Sequence, residues 1–209
     1  MPAYQDSEQL MLPAVWHAFT QGDKSAFTRL YHHFFSDLFT YGMYLSRDKA
    51  VVKECIQDLF ITLWNRREEL QAVRDIPAYL VRAMRNRMLT RLSSKTTVIF
   101  DELQEENYDF EISYPVVHRL IRDEQHALLY AHFKVAMKKL TPRQREMIYL
   151  RYMRGMSYEA VCDIMQITVK AGYKLMARSL ETLRENLQHI PGIRHWWTLL
   201  VLLLGVLGG

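Results

Sequence analysis

Apolar residues recur at three- and four-residue steps along most of this chain, and this period constrains the fold more than any other feature. The first clear run follows the pair Gly22-Asp23 and consists of Phe27, Leu30, Tyr31, Phe34, Leu38, Tyr41 and Leu45. Because residues three and four apart share one side of an α-helix, the run predicts a helix that buries one face. Eight Gly and six Pro in 209 residues leave few turns for a sandwich or a barrel. The expected fold class is all-α.

Two more helices are expected in the first half of the chain. One has an apolar stripe of Val52, Ile56, Leu59, Phe60, Leu63 and Trp64. The other begins near Pro77, in "IPAYLVRAMRNRMLTRL", and is expected to bury Tyr79, Leu80, Ala83, Met84 and Leu92 while displaying Arg82, Arg85, Asn86, Arg87 and Arg91. With a short helix near Trp16 to Phe19, they form a predicted helical domain over residues 1–95.

Residues 96–116 show no helical period and are strongly acidic. Six acidic residues lie between Asp101 and Glu111. Residues 1–95 carry a net charge of +3, residues 96–126 of −6 and residues 127–209 of +7. We therefore expect an acidic flexible linker between two basic helical domains that face one polyanion. Solvated helix surfaces joined by a polar linker are the alternative.

A second helical domain is expected over residues 117–188. Its first helix is predicted to place Leu120, Ile121, Leu128, Ala131, Val135, Met137 and Leu140 on one side. Thr141-Pro142 with Gln144 supplies a capping box and a first-turn proline for the next helix.

The end of this domain has the spacing of a helix-turn-helix. A Ser157 cap, a turn at Gln166-Ile167 and a Thr168 cap delimit two close-spaced helices. Cys162 occupies a position where close packing favours a small residue. The second of these helices carries Lys170, Lys174 and Arg178 opposite its apolar side, as expected for a helix that lies in the major groove.

Taken together, four motifs resemble the extracytoplasmic-function branch of the sigma-70 family of RNA polymerase initiation factors. They are "GDKSAFTRLY", "IQDLFITLW", "YLVRAMRNRML" and "LTPRQREMIYLRYMRGMSYEAVCDIM". The resemblance implies sigma domain 2 over residues 1–95 and sigma domain 4, with the helix-turn-helix, over residues 117–188. It also implies an alternative sigma factor, without enzymatic activity, that directs promoter-specific initiation in the cytoplasm.

The resemblance also assigns partners and site residues. Glu54, Gln57, Asp58 and Arg67 would bind the clamp coiled coil of the largest subunit of core RNA polymerase, and domain 4 would meet the flap. The −10 element would be melted by Arg82, Arg85, Asn86, Arg87 and Arg91. The −35 element would be bound by Arg143, Arg145, Lys170, Lys174 and Arg178. An anti-sigma factor or another protein partner is expected in addition.

Four positions depart from the family pattern. Gly172 replaces an apolar anchor and Tyr173 a basic residue, while Gln166 replaces a turn glycine and Thr90 an aspartate. Readout of the −35 element by this helix is therefore expected to be weak or altered.

The apolar tail, residues 189–209, ends in "WWTLLVLLLGVLGG". Twelve residues from Trp196 to Leu207 span about 18 Å as a helix, too short for a hydrocarbon core of about 30 Å. The tail has three interpretations: it packs on domain 4, it binds a protein partner, or it associates with a membrane surface. Such tails resemble those of iron-citrate-type factors of the Bacteroidetes group.

Catalytic, cofactor and metal sites are not expected. The sequence has no P-loop, GxGxxG or HExxH motif. Cys55 and Cys162 lie in helical stripes, without a CxxC motif, and the polar start of the chain shows no signal peptide, which indicates a reducing cytoplasm. Two other functions stay open: a helix-turn-helix transcription regulator, and a sigma-like factor with weak −35 readout that a partner protein recruits to promoters.

Overall fold

The computed structural model describes residues 2–71, 73–93, 109–110 and 124–187, and the regular elements in these ranges are all helical. The expected all-α fold is confirmed. The chain divides into two compact units, Met1–Thr96 and Thr97–Gly209. The predicted apolar tail and most of the predicted acidic linker lie outside the described residues. Within the described ranges, no helix is both long and apolar enough to span a bilayer.

The described part of the first unit contains four helices. They are α1 (Pro2–Thr20), α2 (Lys24–Leu45), α3 (Lys49–Asn65) and α4 (Ile76–Ser93), with a 3-10 turn at Arg67–Leu70. α2 packs against the other three helices. α1 is much longer than the short helix expected near Trp16, whose indole N–H donates to the Leu70 carbonyl at 3.1 Å. This bond ties α1 to the turn that follows α3.

Aspartate caps begin three of these helices. The Asp23 carboxylate accepts from the backbone N–H of Ser25 at 2.7 Å, which confirms the expected start of α2. Asp48 caps α3 in the same way, and Asp75 accepts from the Ala78 N–H at 2.9 Å at the start of α4. Each cap satisfies backbone donors that have no partner inside the helix.

The core of the first unit follows the predicted stripes of α2 and α3. Its buried residues include Leu30, Phe34, Leu38, Tyr41 and Leu45 of α2 and Val52, Ile56, Leu59, Phe60 and Leu63 of α3. Phe19, Phe27 and Trp64 add an aromatic cluster, in which the Phe27 and Trp64 ring centroids lie 5.1 Å apart. This packing determines which sides of α3 and α4 are exposed and can contact partners.

The second unit contains α5 (Glu124–Lys138), α6 (Pro142–Ile148), α7 (Tyr158–Ile164) and α8 (Val169–Leu187), with a π-helical turn at Tyr149–Met153. α8 packs against α5, α6 and α7. The predicted capping box of Thr141 and Gln144 is present in both directions. Two expectations are wrong: Ala131 and Val135 are exposed, because Phe133, Ala136 and Met137 supply the inward side of α5 instead. The predicted Leu120 and Ile121 lie outside the described residues.

The helix-turn-helix is formed by α7, α8 and the turn between them. The Ser157 hydroxyl accepts from the Ala160 N–H at 3.1 Å, and the Thr168 hydroxyl from the Ala171 N–H at 3.2 Å, as the two caps predicted. Gln166 adopts a φ of +55°, the left-handed conformation for which a glycine would be favoured. The turn is therefore made at a cost in backbone strain.

Two residues of the predicted linker belong to the second unit. Phe110 is fully buried, with its ring centroid 5.7 Å from that of Tyr149, and the Asp109 carboxylate accepts from the Arg145 guanidinium at 3.3 Å. At this point of the predicted linker, Phe110 therefore packs on the second unit, while Asp109 stays exposed beside Arg145.

Candidate nucleic-acid interface

The outer side of α3 carries the predicted polymerase-binding residues. Glu54, Gln57 and Asp58 are all exposed. Ile61, one turn beyond Gln57, is 58% exposed and was missed by the sequence reasoning. The sequence could have indicated this exposure, since Ile61 is an apolar residue that falls outside the apolar stripe of α3. A single exposed isoleucine is common on protein surfaces, so Ile61 adds an apolar group to the polar side of α3 without marking a binding site by itself.

Arg67 stands at the end of this surface and is less accessible. Its guanidinium lies 4.9 Å from the Trp64 ring centroid and donates to the Trp64 carbonyl at 2.9 Å. A cation at this point complements the free carbonyls at the carboxyl end of α3. Arg67 therefore shapes the end of α3, while the three other residues form the open surface.

α4 presents a row of polar side chains that winds around its outer half. Arg82, Asn86 and Arg87 are half-buried, and Arg91 is exposed. The Arg91 guanidinium donates to the Glu54 carboxylate at 2.8 Å. A surface ion pair of this kind contributes about 0–1 kcal/mol, so it can be exchanged for a phosphate or a protein group at little cost. It joins the predicted DNA side of α4 to the predicted polymerase side of α3.

Arg85 does not share this row, and the expectation that it is displayed is wrong. Its side chain is only 3% exposed. The physical reason is its register: Arg85 lies one turn from both Val81 and Met88, which are buried on the inner side of α4. The Arg85 side chain therefore packs on the buried side of α4.

The predicted DNA-binding residues of the second unit differ in accessibility. Lys170, Lys174 and Arg178 are exposed and follow one another at one-turn intervals along α8. Arg143 is half-buried near the start of α6. The Arg145 side chain is only 14% exposed and pairs with Asp109. The α8 cations are thus open to a polyanion, whereas Arg145 already faces a carboxylate.

The crossing of α7 and α8 explains one departure from the family pattern. A Cβ added to Gly172 would overlap the Cys162 Sγ and lie 3.6 Å from the Met147 Cε. Cys162 and Gly172 are both buried. Gly172 therefore leaves no gap in the packing, because the Cys162 sulfur fills the space that a larger residue at 172 would occupy.

A second departure, Tyr173, takes part in an aromatic stack. Its ring centroid lies 4.5 Å from that of Tyr158, with an interplanar angle of 24°. The Arg151 guanidinium lies over the Tyr158 ring at 5.0 Å from its centroid and donates to the Met156 carbonyl at 2.6 Å. Burial raises the pKa of the Tyr158 phenol above its usual value of 10.0. The three side chains come from three successive elements, and their contacts hold α8 against the rest of the motif.

Both cysteines are core residues. Cys55 and Cys162 are buried, and burial raises the pKa of each thiol above 9.0. A protonated, covered thiol is a poor nucleophile. Neither cysteine forms a reactive site.

Two family models match this chain in the order of its two units. The model of Sigma-70 region 2 matches residues 30–97, and the model of Sigma-70, region 4 matches residues 133–183. The first match covers α3 and α4, and the second contains α7, the turn and most of α8. The chain belongs to the sigma-70 family. Its role is that of a sigma factor in transcription initiation.

Solved structures are similar to this chain at low sequence identity. The structure of CnrH in complex with the cytosolic domain of CnrY is 19% identical, covers 84% of this chain and 96% of its own, and gives a TM-score of 0.53. The sigma factor RpoE from Bartonella quintana, in complex with the anti-sigma factor NepR, is 17% identical, with 90% and 99% covered and a TM-score of 0.48. No curated protein matches the sequence significantly.

Proposed function

We propose that this sigma factor is of the extracytoplasmic-function type, that it binds core RNA polymerase through α3, and that α4 and α8 bind the −10 and −35 elements. The observation that carries the proposal is the placement of its cations. Within the two regions that the family models match, polar and basic side chains of α4 are half-buried or exposed, and three cations are exposed along one side of α8. Both helices can therefore face one polyanion.

The α3 surface supports polymerase binding. Gln57, Asp58 and Ile61 are exposed within little more than one turn. An apolar side chain ringed by polar groups is the usual composition of a small protein-binding site. Glu54 adds a carboxylate that its pairing with Arg91 leaves half exposed. This surface is proposed to meet the clamp coiled coil of the largest subunit, and the second unit the flap.

Promoter melting is assigned to α4. Arg82, Arg87 and Arg91 would hold phosphates of the −10 element, and Asn86 would bind a base edge or sugar. Arg85 is proposed to position α4 rather than to touch DNA, because it is buried. In a holoenzyme, the double variant Arg82→Ala/Arg87→Ala should lower permanganate reactivity of thymines at −10 more than it lowers polymerase binding.

Arg184→Ala is the matched control, since Arg184 is an exposed arginine of α8 that pairs with Glu181 of its own helix. This control should leave permanganate reactivity unchanged. Undiminished reactivity in the double variant would contradict the role of α4 in melting.

One further function is favoured by a specific observation. Arg145 is paired with Asp109, and Tyr173 stands where the family carries a cation, so the second unit offers fewer free cations to DNA than the resemblance implies. A sigma-like factor with weak −35 readout, brought to promoters by a partner, fits this arrangement. An anti-sigma factor is proposed as a partner in either case, and the apolar tail as a contact for it. Membership of the iron-citrate-type group rests on that tail alone.

A further inference from the structure

Two parallel stripes of different chemistry run along the exposed side of α8. Val169 is 40% exposed and Tyr173 is 53% exposed, one turn apart. The next turn of this apolar stripe is Ala177, which is also exposed. The cationic stripe of Lys170, Lys174 and Arg178 lies one residue further along at each turn. Because residues four apart share a helix side, each set forms a stripe along α8, and the two stripes lie about 100° apart round the helix axis.

The apolar stripe is held in place before any partner binds. Tyr173 stacks on Tyr158, and the Arg151 guanidinium covers the Tyr158 ring while it is itself bonded to the Met156 carbonyl. A ring whose rotamer is already fixed loses little conformational entropy on binding. About half of the Tyr173 side chain nevertheless remains open to solvent. A fixed ring with an open face is suited to bind a partner as a rigid contact, more than a freely moving surface tyrosine would be.

The adjoining cations identify the occupant as duplex DNA. Three cations at one-turn intervals complement phosphates along the edge of a groove. Among the base edges in the major groove, only thymine presents an apolar group, its 5-methyl. Val169 has no hydrogen-bonding side chain and Tyr173 has one hydroxyl, so this stripe is matched to methyl groups better than to the donors and acceptors of guanine or cytosine.

We propose that Tyr173 and Val169 recognise thymine methyl groups in the major groove, while Lys170, Lys174 and Arg178 hold the flanking phosphates. The inference rests on the proposed function, since it requires α8 to enter the groove. It assigns the −35 preference of this chain to apolar contacts instead of hydrogen bonds to bases. Burial of one methyl group corresponds to about a fourfold change in affinity, so each contacted thymine contributes a modest preference.

The test uses the full chain assembled with core RNA polymerase. Duplexes are selected from a pool randomised over the −35 region, and each thymine of the selected duplex is then replaced singly by deoxyuridine, which lacks only the methyl group. For the wild type, we expect about fourfold weaker binding at one or two of these positions.

Variants of α8 separate the two stripes. Tyr173→Ala should abolish the methyl dependence at one position, whereas Tyr173→Phe, which can keep the stack, should preserve it. Lys174→Ala should weaken binding to all duplexes alike, reduce the salt dependence and leave the methyl dependence intact.

The outcomes also separate this inference from the function on which it rests. A holoenzyme that binds its selected duplex equally well with thymine or deoxyuridine overturns the inference and leaves the proposed function standing. So does a methyl dependence that survives in both Tyr173→Ala and Val169→Ala. A chain that assembles with polymerase but selects no duplex contradicts the −35 binding in the proposed function, and the inference is overturned with it. A chain that does not assemble with polymerase contradicts the proposed function itself.

Discussion

Replacing Gly172 by alanine should destabilise the second unit, although alanine is the better residue for a helix interior. The new Cβ would overlap the Cys162 Sγ, and Cys162 is buried with little room to move. Overpacking of this kind costs about 1–3 kcal/mol. Helix propensity returns about 1 kcal/mol. The free energy of unfolding should therefore fall by up to about 2 kcal/mol.

A second substitution should reverse this loss. Cys162→Ala removes the sulfur and on its own should cost about 1 kcal/mol through the small cavity that it leaves. In the double variant Gly172→Ala/Cys162→Ala, the added methyl group occupies that space and the helix propensity is gained without a clash. The stability of the double variant should be close to that of the wild type, which corresponds to a coupling energy of about 2 kcal/mol.

Amide hydrogen exchange of α7 and α8 in the full chain measures these changes. A local probe is needed because a chain of two units need not unfold in one two-state transition. Cys55→Ala, which removes the other thiol, is the control and should leave exchange in α7 and α8 unchanged. Slower exchange in Gly172→Ala, or strict additivity in the double variant, would refute the reasoning.

Three further outcomes follow from individual residues. Gln166→Gly should raise the free energy of unfolding of the second unit by about 0.5–1 kcal/mol, because it relieves a positive φ of 55°; a loss of stability in the same exchange experiment would contradict this. Asp109→Asn should increase the affinity of the full chain for duplex DNA by up to about fivefold at low salt, since it releases Arg145 from a carboxylate. Unchanged binding in a fluorescence anisotropy titration would argue against that competition. Burial raises the pKa of both thiols, so at pH 7 they should stay protonated and react with a disulfide reagent only when urea opens the fold; immediate labelling would disprove it.

Local signals in the sequence were sufficient for most of the helices. The Asp23 cap, the capping box of Thr141 and Gln144, and the caps at Ser157 and Thr168 depend on residues within one turn, and all are present as expected. The stripes of α2 and α3 also needed only the helical period. These features depend on neighbours in the chain, which a sequence displays directly.

The features that sequence reasoning missed depend on distant contacts. The pairing of Glu54 with Arg91 joins residues 37 positions apart, and that of Asp109 with Arg145 joins residues 36 apart. Propensity and period contain no information on such pairs. The helical period of α4 also could not decide whether Arg85 is buried or exposed, since a long cationic side chain is found in both environments.

The site was predicted to a similar extent. The exposed cations of α8 were predicted from period alone, and the structure places them as expected. The roles of Gly172 and Tyr173 could not be predicted, because each depends on a contact with another element. Gly172 packs against Cys162, and Tyr173 stacks on Tyr158. A substitution that departs from a family pattern is thus explained only when the residue opposite it is known.

The affinity of the chain for purified core RNA polymerase tests the central claim most directly. Gln57→Ala/Asp58→Arg should weaken binding by at least about tenfold, because it reverses a charge in the exposed α3 surface around Ile61. Glu185→Arg makes a similar charge change at an exposed position of α8 and should bind polymerase like the wild type. Equal affinity of the α3 variant and the wild type would contradict the account.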